Sequence, residues 1–242
     1  VDSWRKDQLS EEVTPQLDAL SRQALRFEDH VSGGNGTRFG VFSMLYGLHG
    51  SYWFSVLEER RSPVMLDVLE RAGYERSVYS TASMNFPEFR DTAWVNCAAE
   101  VYDEHPFEAA YERDQEVARL FRRDLERRAE EDEPAPFFKF VLLDAAHQPY
   151  SAPGEGPFQP AADHLDYSEL ANDDSPELVE RVFNRYRNAL HFVDGAAADI
   201  IEALRATGTL EDTIVMVTGD HGEEFQESGF WGHTSNFTPE QI

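Results

Sequence analysis

"IVMVTGDHGEEF", Ile214 to Phe225, is a run of β-branched and apolar residues that stops at Gly-Asp-His-Gly. The apolar part reads as a buried strand, and the glycines flanking Asp220 and His221 read as a sharp exit from it. A carboxylate and an imidazole side by side at a strand end make either a polar turn or part of a metal site. The architecture around them decides which.

Outward from this stretch, strands and helices alternate. "FFKFVLLDAAHQPY" is a second buried strand, ending in a polar loop that carries His147. "SPVMLDVLERAGYERSVYST" reads as a capped helix, a glycine stop at Gly73 and a strand. "LRFEDHVS" alternates like a half-buried strand. "TPQLDALSRQALRF" has Thr14 as N-cap and Pro15 at the first helical position. "SGGNGTRFGVFSMLYGL" is a glycine-rich loop running into an apolar helix, and a charged helix spans roughly Asp114 to Glu131. The longest helical pattern starts at Ser175 and Pro176 and ends at Gly208. Its apolar face is Leu178, Val182, Tyr186, Leu190, Val193, Ala197, Ile200 and Leu204. Residues 151–172, rich in Pro, Gly, Asp and Ala, read as a long surface loop.

This alternation, with three near-continuous apolar strands, predicts an α/β fold: a mainly parallel central sheet with helices on both faces. Ligands of such sheets bind beyond the carboxyl ends of the strands. Asp220 and His221 stand at such an end.

The 242 residues suffice for one large domain or two small ones, and residues 1–242 read as one domain cut at both ends. The chain opens "VDSWR" without an initiator methionine and closes "GHTSNFTPEQI" without a clear terminal element, so a membrane tether or export signal is expected outside it. Acidic residues number 46 against 21 basic ones, a formal net charge of −25, and the lysines are Lys6 and Lys139 alone. Such a surface repels nucleic acid and anionic headgroups, which excludes nucleic-acid binding as a main role. Cys97, the single cysteine, excludes an intramolecular disulfide framework. No apolar run is long enough to span a bilayer.

Four positions suit a divalent cation: Asp2, at the end of a strand of which only the last residues are present, Thr37 between the glycine-rich loop and its helix, and the pair Asp220 and His221. A threonine hydroxyl polarised there becomes a nucleophile. The "GGNGT" loop opens a helix whose N–H groups favour an anion, and Arg38 and Asn35 could bind further anionic oxygens. His147 and His233 are candidates to protonate a leaving group or hold the transferred group. Each has a plainer reading: Thr37 as a helix cap, Arg38 paired with a surface acid, the two histidines hydrogen-bonded in loops. His30, His49, His105, His164 and His191 read as structural or exposed, Asp194 as a cap or core partner, Glu223 and Glu224 as a solvated loop. Trp53, Phe54, Trp231 and the long loop are candidate pocket walls.

Together these segments resemble the alkaline phosphatase and sulfatase superfamily. "VDSWR", "GGNGTRFGVFSMLYGL", "LLDAAHQPY", "YRNALHFVDGAAADIIEAL" and "VTGDHGEEF…WGHT" occur in the family's order. The loop and helix after Ser32 are similar to the sulfatase-like extracytoplasmic domain of the PbgA/YejM group of bacterial inner-membrane proteins. Phosphoglycerol and phosphoethanolamine transferases are more distant. The resemblance implies a three-layer fold, a Thr37 nucleophile, and one divalent metal (zinc, manganese or magnesium, with calcium also open) on Asp2, Thr37, Asp220 and His221. It sets His147 and His233 near the transferred group and the chain on the extracytoplasmic face of the inner membrane. True sulfatases carry a Cys or Ser matured to formylglycine; "GGNGTR" has neither, and "NCAAE" lacks the pattern. A phosphoester or lipid headgroup is therefore expected ahead of a sulfate ester. The alternative is an inactive regulatory domain that binds lipid (lipopolysaccharide or cardiolipin) and protein partners.

Overall fold

The computed structural model describes residues 1–96 and 100–242; Cys97 and its sequence context lie outside them. The central sheet has three parallel strands, β1 (Glu75–Ser80), β2 (Glu100–Tyr102) and β3 (Phe137–Leu142), in the order β2-β1-β3. The register sets Ser77 beside Glu100 and Lys139, and Ser80 beside Leu142. Strand β1 is therefore the central member.

Side chains alternate across this sheet with period two, as a strand covered on both faces requires. Tyr79 and Val141 join the core formed by α1 (Pro15–Ser21), α5 (Ala110–Arg128) and α7 (Pro176–Ala206). Val78, Phe138 and Phe140 point the other way, into a core with α2 (Thr37–Tyr46), α3 (Trp53–Glu59) and α4 (Val64–Arg71). The result is the expected three-layer α/β/α arrangement. Lys139 interrupts the apolar run of β3 because it is buried against Asp124 of α5, with its ammonium over the rings of Tyr79, Phe121 and Phe137.

Helix ends follow the sequence at α7 but not at α1, nor at α4, where Pro63 is the N-cap and no side chain caps the helix. The Ser175 hydroxyl accepts from the Leu178 N–H at 3.4 Å, and Gly208 takes φ +71° just beyond α7. Thr14 does not cap α1: its hydroxyl donates to the Gln8 carbonyl at 3.0 Å. Asp194, from the middle of α7, does so instead, accepting from Gln16 and Leu17 N–H at 2.9 and 2.8 Å. A long-range carboxylate has displaced the local hydroxyl, and it pins α1 to α7 in the same contact.

Two expected strands are not strands. Residues 25–31 form turns and exposed coil, with Leu25 and Phe27 open to solvent. Residues 213–218 run without a ladder, Ile214 92 % and Met216 81 % exposed. One rung reaches them from Val1: its N donates to the Thr218 carbonyl at 2.9 Å, and Asp220 N–H donates to the Val1 carbonyl at 3.3 Å. On the other side Asp2 N–H donates to the Leu143 carbonyl at 2.9 Å, just past β3. Val1 and Asp2 thus bridge the end of β3 to Thr218 and Asp220. Upstream of that rung, among the described residues, nothing pairs with 214–217. A short antiparallel pair, β4 (Glu224–Phe225) with β5 (Trp231–Gly232), follows the exit. The long loop carries α6 (Tyr167–Leu170) and is tied to α7, Asn188 exchanging two hydrogen bonds with Phe158 at 2.9 and 3.0 Å.

Candidate functional site

Helix α2 presents Thr37 as its first residue, with Gly36 as N-cap and no side chain capping it. Packing rather than a cap fixes this helix: Val41, Phe42 and Leu45 are buried, at about 1.5–3 kcal/mol for each fully buried side chain. Gly40 lets α2 lie directly on the backbone of Asp220, since a Cβ there would overlap the Asp220 carbonyl. Ser32 closes the same contact, donating to that carbonyl. The glycine-rich loop is thus fastened to the strand exit that supplies Asp220 and His221.

Four side chains from three distant segments converge. Thr37 Oγ1 donates to Asp2 Oδ2 at 3.1 Å and lies 3.3 Å from His221 Nε2. His221 Nε2 stands 3.4 Å from Asp2 Oδ1 and 3.8 Å from Asp220 Oδ2. Asp2, Asp220 and His221 are each 2 % exposed. Ser3 supports the carboxylates: its hydroxyl donates to Asp2 Oδ1 at 2.9 Å and its N–H to Asp220 Oδ1 at 3.2 Å. His221 Nδ1 faces the Gly222 carbonyl at 2.8 Å, which directs Nε2 to the cluster.

The electrostatics are those of a site short of positive charge. Burial works against a charged His221, yet the Asp220 and Asp2 carboxylates outweigh it and push the imidazole up to about 10. Burial opposes ionisation of Asp2 too, but the hydrogen bond and charge of His221 hold that carboxyl well below the usual range. Asp220 is raised by burial and then by Asp2. Asp144, just beyond β3, is pushed well above its ordinary value by burial and by Asp2, Asp114 and Asp220.

Asp220 Oδ2 is buried with no hydrogen-bond partner. A buried charge left without its partner costs on the order of 3–5 kcal/mol. Two carboxylates, a neutral imidazole and a hydroxyl form a donor set suited to a divalent cation, and the orphaned oxygen is where one would bind.

Two further histidines complete the group. The His233 ring centroid is 4.3 Å from that of His221 and 5.1 Å from that of His147. His147 Nδ1 faces the Gln148 carbonyl at 2.9 Å. Arg38 adjoins Thr37 in sequence, but its guanidinium pairs with Glu88 at 3.0 Å and lies over Trp53 and Phe86. Asn35 is not free for an anion: its amide donates to the Asn236 carbonyl at 2.7 Å and to Gln241 Oε1 at 3.1 Å. Trp53 is core and lines nothing, being fully buried against Phe42 and Phe89, whereas Phe54 is exposed.

Glu223 and Glu224 are not a solvated loop; both are fully buried. Glu223 Oε2 accepts from His233 Nδ1 at 2.8 Å and Oε1 from the Tyr150 hydroxyl at 2.7 Å. Glu224 is held by Ser228 N–H, Thr238 and Gln241. The pairing of Glu223 with His233, ten residues apart, had no signal in the sequence, and neither had Tyr150, Ser3 and Asp144, because fold alone brings them in.

A family model described as Sulfatase matches residues 2–242. The inner membrane proteins YejM of Salmonella typhi and Salmonella typhimurium are each 24 % identical over 212 residues, covering 88 % of this chain and 30 % of theirs. The chain thus spans less than a third of the length of these curated relatives. A crystal structure of a phosphonate monoester hydrolase of Agrobacterium radiobacter superposes with a TM-score of 0.73 at 19 % identity, covering 99 % of this chain and 64 % of that one. Among the described residues no helix is long and apolar enough to cross a membrane. With the family match running from Asp2 to the last residue and the three-layer fold shared with that hydrolase, the chain belongs to the sulfatase family.

Proposed function

We propose that this chain cleaves or transfers a phosphoester, with Thr37 as nucleophile. The observation that carries the reading is the placement of Thr37 Oγ1, at the open N-terminus of α2, 3.1 Å from Asp2 Oδ2 and 3.3 Å from His221 Nε2. Asp2, Thr37, Asp220 and His221 would hold one divalent cation, which supplies Lewis acidity to the hydroxyl and to a phosphoryl oxygen.

The chain's own residues do the rest. Asp2 Oδ2 orients the Thr37 hydroxyl by accepting its hydrogen. The uncapped N–H groups of α2 take a non-bridging phosphoryl oxygen. His147 and His233 stand beside the cluster and handle the proton of the leaving or entering alcohol. Arg38, paired with Glu88 and lying over Phe86, takes part only if a substrate draws it away.

No Cys or Ser stands where Thr37 does, so formylglycine chemistry has no precursor and a phosphoester is favoured over a sulfate ester. A lipid headgroup on the extracytoplasmic face of the inner membrane is the substrate class this reading favours, residues 1–242 acting as one catalytic unit. The test is turnover of a 4-nitrophenyl phosphodiester with added Mn²⁺, Zn²⁺ or Mg²⁺. Thr37→Ala lowers the rate by roughly 10³-fold or more, and quenched wild type carries a phosphoryl group on the Thr37 peptide by mass spectrometry. Equal rates in both proteins refute the nucleophile and leave lipid binding by an inactive domain as the better reading.

A further inference from the structure

Gln241 is fully buried, and its carboxamide is where three segments meet. Oε1 accepts from the Asn35 amide at 3.1 Å and from the Asn236 N–H at 3.2 Å. Nε2 donates to Glu224 Oε2 and to Ser235 Oγ, each at 2.8 Å. A backbone N–H can only donate and a carboxylate can only accept, so these partners fix which end of the amide is which. All four hydrogen-bonding positions are filled. The backbone repeats the tie, the Gly222 N–H donating to the Gln241 carbonyl at 3.0 Å. Gly222 approaches so closely that a Cβ on it would overlap the Glu240 carbonyl.

Each segment so joined belongs to the site. Asn35 stands in the glycine-rich loop just before Thr37, Gly222 and Glu224 follow the exit that supplies Asp220 and His221, and Ser235 and Asn236 follow His233. Ser32 fastens the start of the glycine-rich loop to the Asp220 carbonyl. The end of the loop has no cap of its own, since no side chain caps α2. It rests on residues 233–236 instead: the Thr234 N–H donates to the Asn35 carbonyl at 2.9 Å, and the Asn35 amide donates to the Asn236 carbonyl at 2.7 Å. Those residues are held in turn by Gln241. A hydrocarbon of the same size would fill this space equally well; the four directed bonds, one of them into the nucleophile loop, are what filling does not require.

From this geometry we infer that Gln241 is a positioning residue: through Asn35 its carboxamide sets where the glycine-rich loop presents Thr37 to Asp2 and His221. Glu224 anchors the carboxamide from the side of the metal exit, so loop and exit keep one spacing. A shift of the loop by an ångström would take Thr37 Oγ1 out of reach of Asp2 Oδ2 and His221 Nε2, now 3.1 and 3.3 Å away.

This inference rests on the phosphoester reading, and its test has two arms that fail separately. The first needs no substrate. Amide hydrogen exchange is followed at the N–H groups that the loop's carbonyls hold: Thr234 on Asn35 at 2.9 Å, and Phe39 and Gly40 on Gly36 at 3.0 Å each. Gln241→Met, similar in volume but without the amide, speeds exchange at these three by roughly tenfold or more and leaves the amides of β1 and β3 unchanged. Gln241→Glu, which sets a second carboxylate against Glu224, does the same. Adding Glu224→Gln to it exchanges donor and acceptor at that contact and restores the wild-type rates, a rescue that a space-filling role would not show. Should Gln241→Met fail to fold, the swapped pair and Asn35→Ala carry this arm. Unchanged exchange in the single variants, or no rescue in the swapped pair, overturns the inference, whether or not the protein turns over an ester. The second arm reads turnover of a 4-nitrophenyl phosphodiester at saturating Mn²⁺. Gln241→Met lowers kcat by about 10–100-fold, the usual range for a lost outer partner of a site residue, with KM within about threefold. Asn35→Ala has a similar effect, and the two together are no worse than either alone. Losses that simply multiply overturn the route through Asn35. If wild type shows no Thr37-dependent turnover, the phosphoester reading falls, and the first arm alone decides the hold of Gln241 on the loop.

Discussion

At the scale of single residues, His221 concentrates the behaviour of the site. Its imidazole is pushed up to about 10 by carboxylates that outweigh its burial. A cation needs the neutral ring, so below that pH a proton must leave before a metal can enter. Apparent affinity for Mn²⁺ or Zn²⁺ therefore rises with pH through the neutral range, approaching tenfold per pH unit for one displaced proton. Titration calorimetry at pH 7.5 in buffers of different ionisation heat is expected to read about one proton released per ion bound; heats independent of the buffer contradict this. Thr37 was legible because it opens a helix after a glycine-rich loop, and Asp220 and His221 because glycines and a change of pattern mark them, although the run before them forms no ladder. Glu223 was legible only as a charge. Nothing in two adjacent glutamates tells that both side chains are buried, since that depends on Tyr150, His233 and Gln241 arriving from elsewhere.

Among elements, α5 shows how a helix far from the nucleophile sets the site. Asp114, within it and 0 % exposed, accepts from Thr81 Oγ1 and from the Asp144 and Ala145 N–H groups, each at 3.0 Å. It thereby holds the turn that leads to His147. Burial raises this carboxyl to about 6, from an ordinary value of 3.8. The folded state then binds more protons than the unfolded one between those values, so this group's contribution to stability falls as pH rises from about 4 to 6. The loss is about 3 kcal/mol by pH 7. In Asp114→Asn that part of the slope disappears. Urea unfolding at pH 4 and pH 7 is expected to show the variant gaining on wild type by up to that amount, whatever the constant cost of the amide; parallel profiles disprove the assignment. The helices themselves were readable from period and caps, and α7 matches its pattern from Ser175 to Gly208. Thr14 misled because a local hydroxyl cannot announce that Asp194, on the neighbouring helix α7, will take its place.

For the whole molecule, the sheet and its layers followed from alternation, while the pairing of strands did not. Residues 214–217 have the composition of a central strand, and the structure gives them no ladder. An exposed apolar edge of this kind templates association. The chain is expected to self-associate at high concentration despite its charge of −25. Met216→Lys, at a position 81 % exposed, is expected to reduce light scattering while changing stability by no more than about 0.5 kcal/mol. Unchanged scattering would show that the edge is not the contact. Only a partner strand could have revealed this from sequence, and residues 213–218 carry none of its information.

Two segments 217 residues apart in sequence meet at the rung where Val1 touches Thr218, and the carboxylate of Asp2 faces His221 there. An ion gripped at that place would work as a reversible clasp between these segments. Binding the folded arrangement and not the unfolded one, it would raise stability with the logarithm of its free concentration. Chelation would then do more than silence chemistry: it would loosen this seam, letting Asp2 part from Asp220 and His221 while the interior still held.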